Sequence, residues 1–460
     1  VSWRGAARLA LFALLLTGWG ISLNRSAPTA LALRGQVANV AMSPWQFDLA
    51  GWMIQALGQK TADAFAQPPL YAATQEREVV LAYVDAAQQI SRLAWRMEHT
   101  LGRGYAPESA EVRSLQGQLA QLRQEQQERR GLVERILQRQ VAEELRAAGM
   151  GWGGILFPPV LFTFVEPPKV LVLSPRDRIA NIYGLLIEPE IDPVESARRE
   201  AQIRAQTDLS AYVTNIGGLA AYPAMVVDRG SLPWLVETVA HEWVHHYLFL
   251  FPLGLFYGQN PEVTIINESV ADLVGKEIGD RVIRRHYPEF APPEPVDEPA
   301  DPALGPAPSL SRPGSITDQA LRHLADARLL PLCQDPPALC HTPQLAHPSD
   351  FYFRGFRTEM RETRLRVDAL LAAGLVTEAE GYMAQRQRYL AENGHPLRVL
   401  NQAYFAFHGS YASSAAQSSP IGPALRTVRT KVDDIPAFLR AVRWITTWAE
   451  LEELLAEMGG

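Results

Sequence analysis

The pentapeptide "HEWVH", residues 241–245, sets two histidines four apart with a glutamate beside the first. On an α-helix those histidines lie one turn apart on the same face, so His241 and His245 can aim imidazole nitrogens at one ion. Neutral imidazole suits zinc. Glu242 stands next to the first ligand, where it can take a proton from a water that the metal has acidified. From Thr238 to Tyr247 no residue other than Glu242 is charged, histidine apart, as a helix buried around a cleft requires.

A catalytic zinc takes three protein ligands and keeps one position open. The next polar cluster, "NESVAD" at 267–272, places Glu268 and Asp272 four apart, hence again on one helical face. Glu268 can complete a His2Glu set, and Asp272 can hydrogen-bond the far nitrogen of a ligand histidine and fix its orientation. Twenty-two residues separate His245 from Glu268, enough for a turn between two helices packed side by side. Together the two stretches are similar to the HExxH plus NExxxD signature of gluzincins, the thermolysin-like zinc metallopeptidases, with a slightly longer segment between the motifs than in several members. What the resemblance implies is a peptidase with zinc on His241, His245 and Glu268, Glu242 as general base and Asp272 in support. Further on, "LNQAYFAFHGSYAS" at 400–413 resembles a downstream Asn-rich helix of aminopeptidase-like bacterial proteins. Peptide hydrolysis needs a donor for the oxyanion of the tetrahedral intermediate, and Tyr404, His408 and Tyr411 are the candidates there.

Several elements must position these groups. From Thr74 to Gly149 apolar residues recur at helical spacing, Val79, Val80, Tyr83, Val84, Ala87, Ile90, Leu93, Ala94 and Met97 in a first stripe. Val112, Leu115, Leu119 and Leu122, resumed by Val133, Ile136, Leu137, Val141 and Leu145, form a second stripe, interrupted by the polar run "RQEQQERR". "GRGYAPES" breaks the pattern between them and offers Ser109 as a helix cap, so a long helical hairpin is expected, serving as a scaffold or a homo-oligomer arm. Between Gly149 and Gly230 the texture changes to short β-branched runs, "KVLVLS", "IYGLLIE" and "YPAMVVD", which read as strands. The last lies just ahead of "HEWVH", where a sheet edge could pair with an extended peptide; an ordinary core strand is the equal alternative. Residues 291–313 hold eight prolines and read as a linker or surface loop. Helical texture resumes to the C-terminus. The expected architecture is α+β and predominantly helical, with a small sheet beside a zincin-type pair of active-site helices. Its divisions are a helical region over 33–150, a core over 151–290, a Pro-rich loop over 291–315, and a helical region over 316–460 closing the cleft.

The chain's 460 residues are 47% hydrophobic and 20% charged, an ordinary globular composition. Its 43 Lys and Arg are outnumbered by 50 Asp and Glu, so no basic field recruits nucleic acid. At the N-terminus Arg4 and Arg8 precede fifteen uncharged, mostly apolar residues, Leu9 to Leu23, in the order of an export signal. The run is short for a membrane span, which needs about 20 residues. Ala30-Leu31-Ala32 offers a cleavage site; uncleaved, residues 1–32 anchor the chain to a membrane. Either way the rest is expected outside the cytoplasm, secreted or anchored. Cys333 and Cys340, in a Pro-rich stretch, are expected to pair as a disulfide in an exported protein. His246 points about 100° round the helix from His245 and falls outside the coordination shell. His99, His286, His323, His341, His347 and His395 are scattered singly. The expected partner is a peptide or protein substrate. Two rival readings stand beside the peptidase: a membrane-associated helical scaffold with an incidental HExxH, and an intramembrane metalloprotease suggested by "YLFLFPLGLFYG" after the motif.

Overall fold

The computed structural model describes residues 29–66, 73–151 apart from Gly104 and Pro107, 155–291, 348–411 and 419–459. The apolar N-terminal run, the cysteine pair and nearly all of the Pro-rich stretch lie outside the described residues. The architecture is α+β and mainly helical, with two three-stranded sheets.

Helices α1 (Thr29–Met42) and α2 (Leu49–Ala66) precede the expected hairpin, α3 (Ala73–Gly102) and α4 (Ala110–Ala147). Ser109 caps α4 by accepting from the Val112 amide. The polar run at 123–130 does not interrupt α4, because Gln, Glu and Arg are good helix formers and bond along the surface at i,i+4. Gln121 donates to Glu125 at 3.0 Å and Gln124 to Glu128 at 3.1 Å. Leu93 of α3 meets Leu115 and Leu119 of α4 in a closed apolar seam.

The first sheet is β3 (Tyr183–Ile187), β2 (Lys169–Pro175) and β4 (Leu209–Thr214), in that order and antiparallel throughout. Helix α5 (Pro193–Thr207), capped by Asp192, packs on β4. The second sheet is β1 (Phe162–Phe164), β6 (Ala224–Val226) and β5 (Gly218–Leu219); β6 runs parallel to β1 and antiparallel to β5. The strand just ahead of "HEWVH" is thus β6, an interior strand, and the sheet edge nearest the motif is β5. Of the two readings of "YPAMVVD", the ordinary core strand holds and the edge does not: pairing on both sides leaves it no free ladder.

Unpaired strand edges carry exposed backbone donors and acceptors that must be satisfied or left for a partner. Three of the four edges are sealed. Segment 45–47 lies on β3, with Phe47 N bonded to Leu186 O at 3.1 Å. On β4, Val213 donates to Glu200 Oε1 at 2.6 Å and accepts from Arg398 at 2.7 Å. On β1, Phe164 donates to Glu134 Oε1 at 2.6 Å and accepts from Arg130 at 3.0 Å. Edge β5 differs. Val227 N donates to Gly217 O at 3.0 Å, so Gly217 faces β6, and the alternation of an antiparallel ladder turns the N–H and C=O of Gly218 outward. Among the described residues neither outward group of Gly218 has a partner.

Helix α6 (Leu232–Leu248) starts at Ser231, whose hydroxyl accepts from Trp234 N, with Pro233 in its first turn. After the short α7 (Pro252–Leu255), α8 (Pro261–His286) opens the same way: Asn260 caps it, Pro261 follows, and Arg284, Arg285 and His286 suit its C-terminal dipole. The two helices share the largest helix interface of the fold, inside the main apolar core. They approach closely because Gly275 and Gly279 face α6. A β-carbon at Gly275 would lie 3.0 Å from His241 Cα, and one at Gly279 3.0 Å from Glu237 Cα.

The C-terminal helices are α9 (Pro348–Ala372), α10 (Val376–Glu392), α11 (Gln402–His408), α12 (Ile421–Thr430), α13 (Ile435–Val442) and α14 (Trp448–Gly459). Helix α11 packs on β2 and β4, and α12 on α8. Among the described residues no helix is long and apolar enough to cross a membrane.

Candidate metal centre

Helix α6 carries His241 and His245 toward α8, and the glycine seam brings Glu268 within reach of both. His241 Nε2 and His245 Nε2 are 3.0 Å apart. Glu268 Oε2 lies 3.5 Å from the first and 3.7 Å from the second. These three atoms fall within 4.8 Å of one another, the one such group of His, Cys, Asp and Glu among the described residues.

The outer hydrogen bonds decide what those atoms present. Asn267 Nδ2 donates to Leu253 O at 3.0 Å, which fixes the amide and leaves Oδ1 as an acceptor for His245 Nδ1, 2.6 Å away. His241 Nδ1 faces Asp272 Oδ1 at 3.4 Å. Both rings therefore carry a proton on Nδ1 and turn Nε2 lone pairs toward each other and toward a carboxylate. Glu268 Oε1 accepts from the Tyr257 hydroxyl, while Oε2 is buried without a hydrogen-bond partner. Three converging lone pairs repel unless a cation lies among them. A proton meets that need at His241: burial works against its charge, but Asp272 and Glu268 outweigh burial and raise its pKa well above the usual imidazole range. A metal ion meets it for all three donors at once. Zinc bonds of 2.0–2.1 Å at tetrahedral angles set ligand atoms about 3.3–3.4 Å apart, and the 3.0, 3.5 and 3.7 Å separations fit. The donor set is thus compatible with zinc in both type and spacing.

Burial also tends to raise the carboxyl of Glu268, yet His245 and His241 outweigh it and hold that group below the usual carboxylate range. For Glu242 the balance goes the other way: burial raises its pKa against the pull of both histidines. The Glu242 carboxylate packs against Gly218 so closely that a β-carbon there would collide with it. Glu242 and the outward backbone of Gly218 are therefore neighbours.

No protein-family model, curated protein or solved structure matches this chain.

Of the three oxyanion candidates, Tyr411 alone is brought to the histidines, its ring 6.5 Å from that of His241. Burial, then the charges of Glu268 and Glu242, push its hydroxyl well above the usual tyrosine range, so it stays a donor. Tyr404 and His408 stack on each other at 4.3 Å and on Tyr212 of β4 at 5.4 and 6.0 Å. Their place is in the aromatic packing of α11 on the first sheet, because helical spacing turns 404 and 408 to the same inward face. His246 does fall outside the metal-facing atoms: its Nε2 is 2.6 Å from Ala221 O. His99 stacks on Trp95, and His395 on Phe356.

Sequence reasoning missed Tyr257, Asn267 and Gly218. Asn267 sits beside Glu268 in "NESVAD" and was legible as a polar neighbour. Tyr257 stands in the turn between α7 and α8, and Gly218 in a two-residue strand, where no periodicity marks either.

Proposed function

We propose that the chain is a zinc-dependent peptidase that cleaves extended peptides laid along β5. The observation that carries this reading is the convergence of His241 Nε2, His245 Nε2 and Glu268 Oε2 beside a buried glutamate that touches an unsealed strand edge. When bound there, zinc supplies a Lewis acid for a peptide carbonyl and lowers the pKa of water toward neutrality. The residues do the rest. Gly218 offers its outward N–H and C=O to the peptide backbone, adding it as a strand. Glu242, with a pKa raised by burial, accepts the proton of the attacking water and delivers it to the leaving amine. Tyr411, which remains protonated, is the donor available to the developing oxyanion. Tyr257 holds one oxygen of Glu268 so that the other faces the metal, and Asn267 and Asp272 hold the imidazoles in the ligating tautomer.

This reading keeps the N-terminal segment as an export signal or anchor and the enzyme outside the cytoplasm. The lack of an apolar spanning helix among the described residues weighs against the intramembrane alternative. The test is a pair of variants, with zinc content and turnover of a peptide library measured on each. Glu242→Gln is expected to keep stoichiometric zinc and lose about a thousandfold in kcat. Glu268→Ala is expected to lose the metal and the activity together. Wild-type protein that binds no stoichiometric zinc would instead favour the helical scaffold with an incidental motif.

A further inference from the structure

Trp234, Thr238, Glu242 and His246 recur every four residues along α6 and so form one ridge that winds slowly round the helix, starting in line with His241 and His245 and ending about 100° from His245. That ridge meets segment 217–221 in chain order. The Trp234 indole lies against Gly217, and Thr238 and Glu242 lie against Gly218. His246 Nε2 is 2.6 Å from the Ala221 carbonyl, and its ring stands edge-on to Tyr222 at 5.1 Å. A carbonyl can only accept, so His246 Nε2 carries the proton and donates. His246 is 1% exposed, which makes this a dry, directional bond to the turn that follows β5.

We infer that His246 is a positioning residue that locks the register of β5 against the metal helix, so that a peptide held by Gly218 meets Glu242 at the right height. The need for a lock follows from the shape of β5. Two residues pair with β6 and, among the described residues, nothing pairs on the outer side, so the register rests on the short turn 220–223 that joins the two strands, the turn whose Ala221 carbonyl His246 holds. A slip of one residue would turn the outward groups of Gly218 inward and carry the peptide one residue past the base. Packing of Trp234, Thr238 and Glu242 on glycine backbone is non-directional; the His246 bond supplies the direction. This inference rests on the peptidase reading for its functional consequence, while the lock itself is a property of the fold.

The experiment compares wild type, His246→Phe and His246→Gln as full chains. Phe keeps the ring packing on Tyr222 and removes the donor; Gln restores a donor near the position of Nε2. Three quantities are read: bound zinc, amide hydrogen exchange across 215–223, and kcat and KM on extended peptides. His246→Phe is expected to keep its zinc, to exchange about tenfold or more faster at 215–223 with α6 unchanged, and to raise KM by a similar factor more than it lowers kcat. His246→Gln is expected to recover most of both effects. Unchanged exchange and KM in His246→Phe would overturn the inference, as would loss of zinc with faster exchange throughout α6, since either result makes His246 an ordinary packed residue. If wild type turned over no peptide, the peptidase reading would fail, while the exchange data would still decide whether His246 pins β5.

Discussion

Between α3 and α4, Leu93, Leu115 and Leu119 close a seam whose outside is a lattice of Gln–Glu and Arg–Glu contacts. Between α6 and α8 glycines let the backbones approach within the apolar core, and set into that interface are two histidines, two buried glutamates and an asparagine. The first pair follows the ordinary rule that apolar groups go in and charges stay out. The second breaks it at one spot. Buried ionisable groups cost free energy unless they are paired, and here the hydrogen bonds with Asn267, Asp272 and Tyr257 offset that cost. The contrast teaches where to look for chemistry: lone pairs aimed at one another inside an apolar helix interface add nothing to stability by themselves and are well suited to holding an ion.

The strongest way to break the comparison is to fill the glycine seam. Gly275→Val adds a branched side chain where even a β-carbon would sit 3.0 Å from His241. Stability is expected to fall by about 3 kcal/mol or more as α8 is pushed away, and zinc binding to fall with it. Full zinc content in that variant would show that some other contact positions Glu268.

Leu119→Ala probes the opposite region. It leaves a cavity at a 3% exposed position, for an expected loss of roughly 2–4 kcal/mol by denaturant unfolding. Zinc content and turnover in the folded protein should stay as in wild type. A parallel loss of zinc would mean that the hairpin and the metal pair form one unit.

Histidine draws the same contrast within one residue type. His241 is raised well above its usual pKa, whereas His408, half-buried among aromatics, is lowered by desolvation to about 4. The unfolded chain binds this proton more readily, near pH ~6.5. Stability from His408 is therefore present above that pH and is lost as pH falls through the window down to its folded pKa, by up to about 3 kcal/mol. In His408→Phe that share of the acid sensitivity should vanish, as read by thermal melts between the two pH limits.

Tyr257→Phe is the mildest of these changes and the sharpest. It removes the hydroxyl that holds Glu268 Oε1 and keeps the ring against His245. Zinc affinity is expected to weaken about tenfold, with global stability nearly unchanged. An unchanged affinity would mean that the carboxylate is held by its helix alone.

Much of this was legible in the sequence. The two long helices, the Ser109 cap and three of the strands followed from periodicity and breakers, and "HEWVH" with "NESVAD" named the side chains that converge between α6 and α8. The unread parts share a cause. β5 is two residues long, too short to show alternation, and Tyr257 lies in a turn, where residue type says little about direction. The choice left open for "YPAMVVD", edge or core strand, had the same origin: it has strand chemistry, but which strand ends a sheet depends on partners elsewhere in the chain.

By itself, then, the sequence determined every relation internal to one helix, such as His241 with His245 and Glu268 with Asp272, because the pitch of a helix converts spacing into a shared face. Tertiary structure alone decided that these two faces meet, that β5 against Glu242 is the edge left unpaired among the described residues, and that Tyr411 rather than Tyr404 or His408 approaches the histidines. Those are contacts between distant segments, set by how closely Gly275 and Gly279 let two helices approach and by what each sheet has already paired, and no local pattern encodes either.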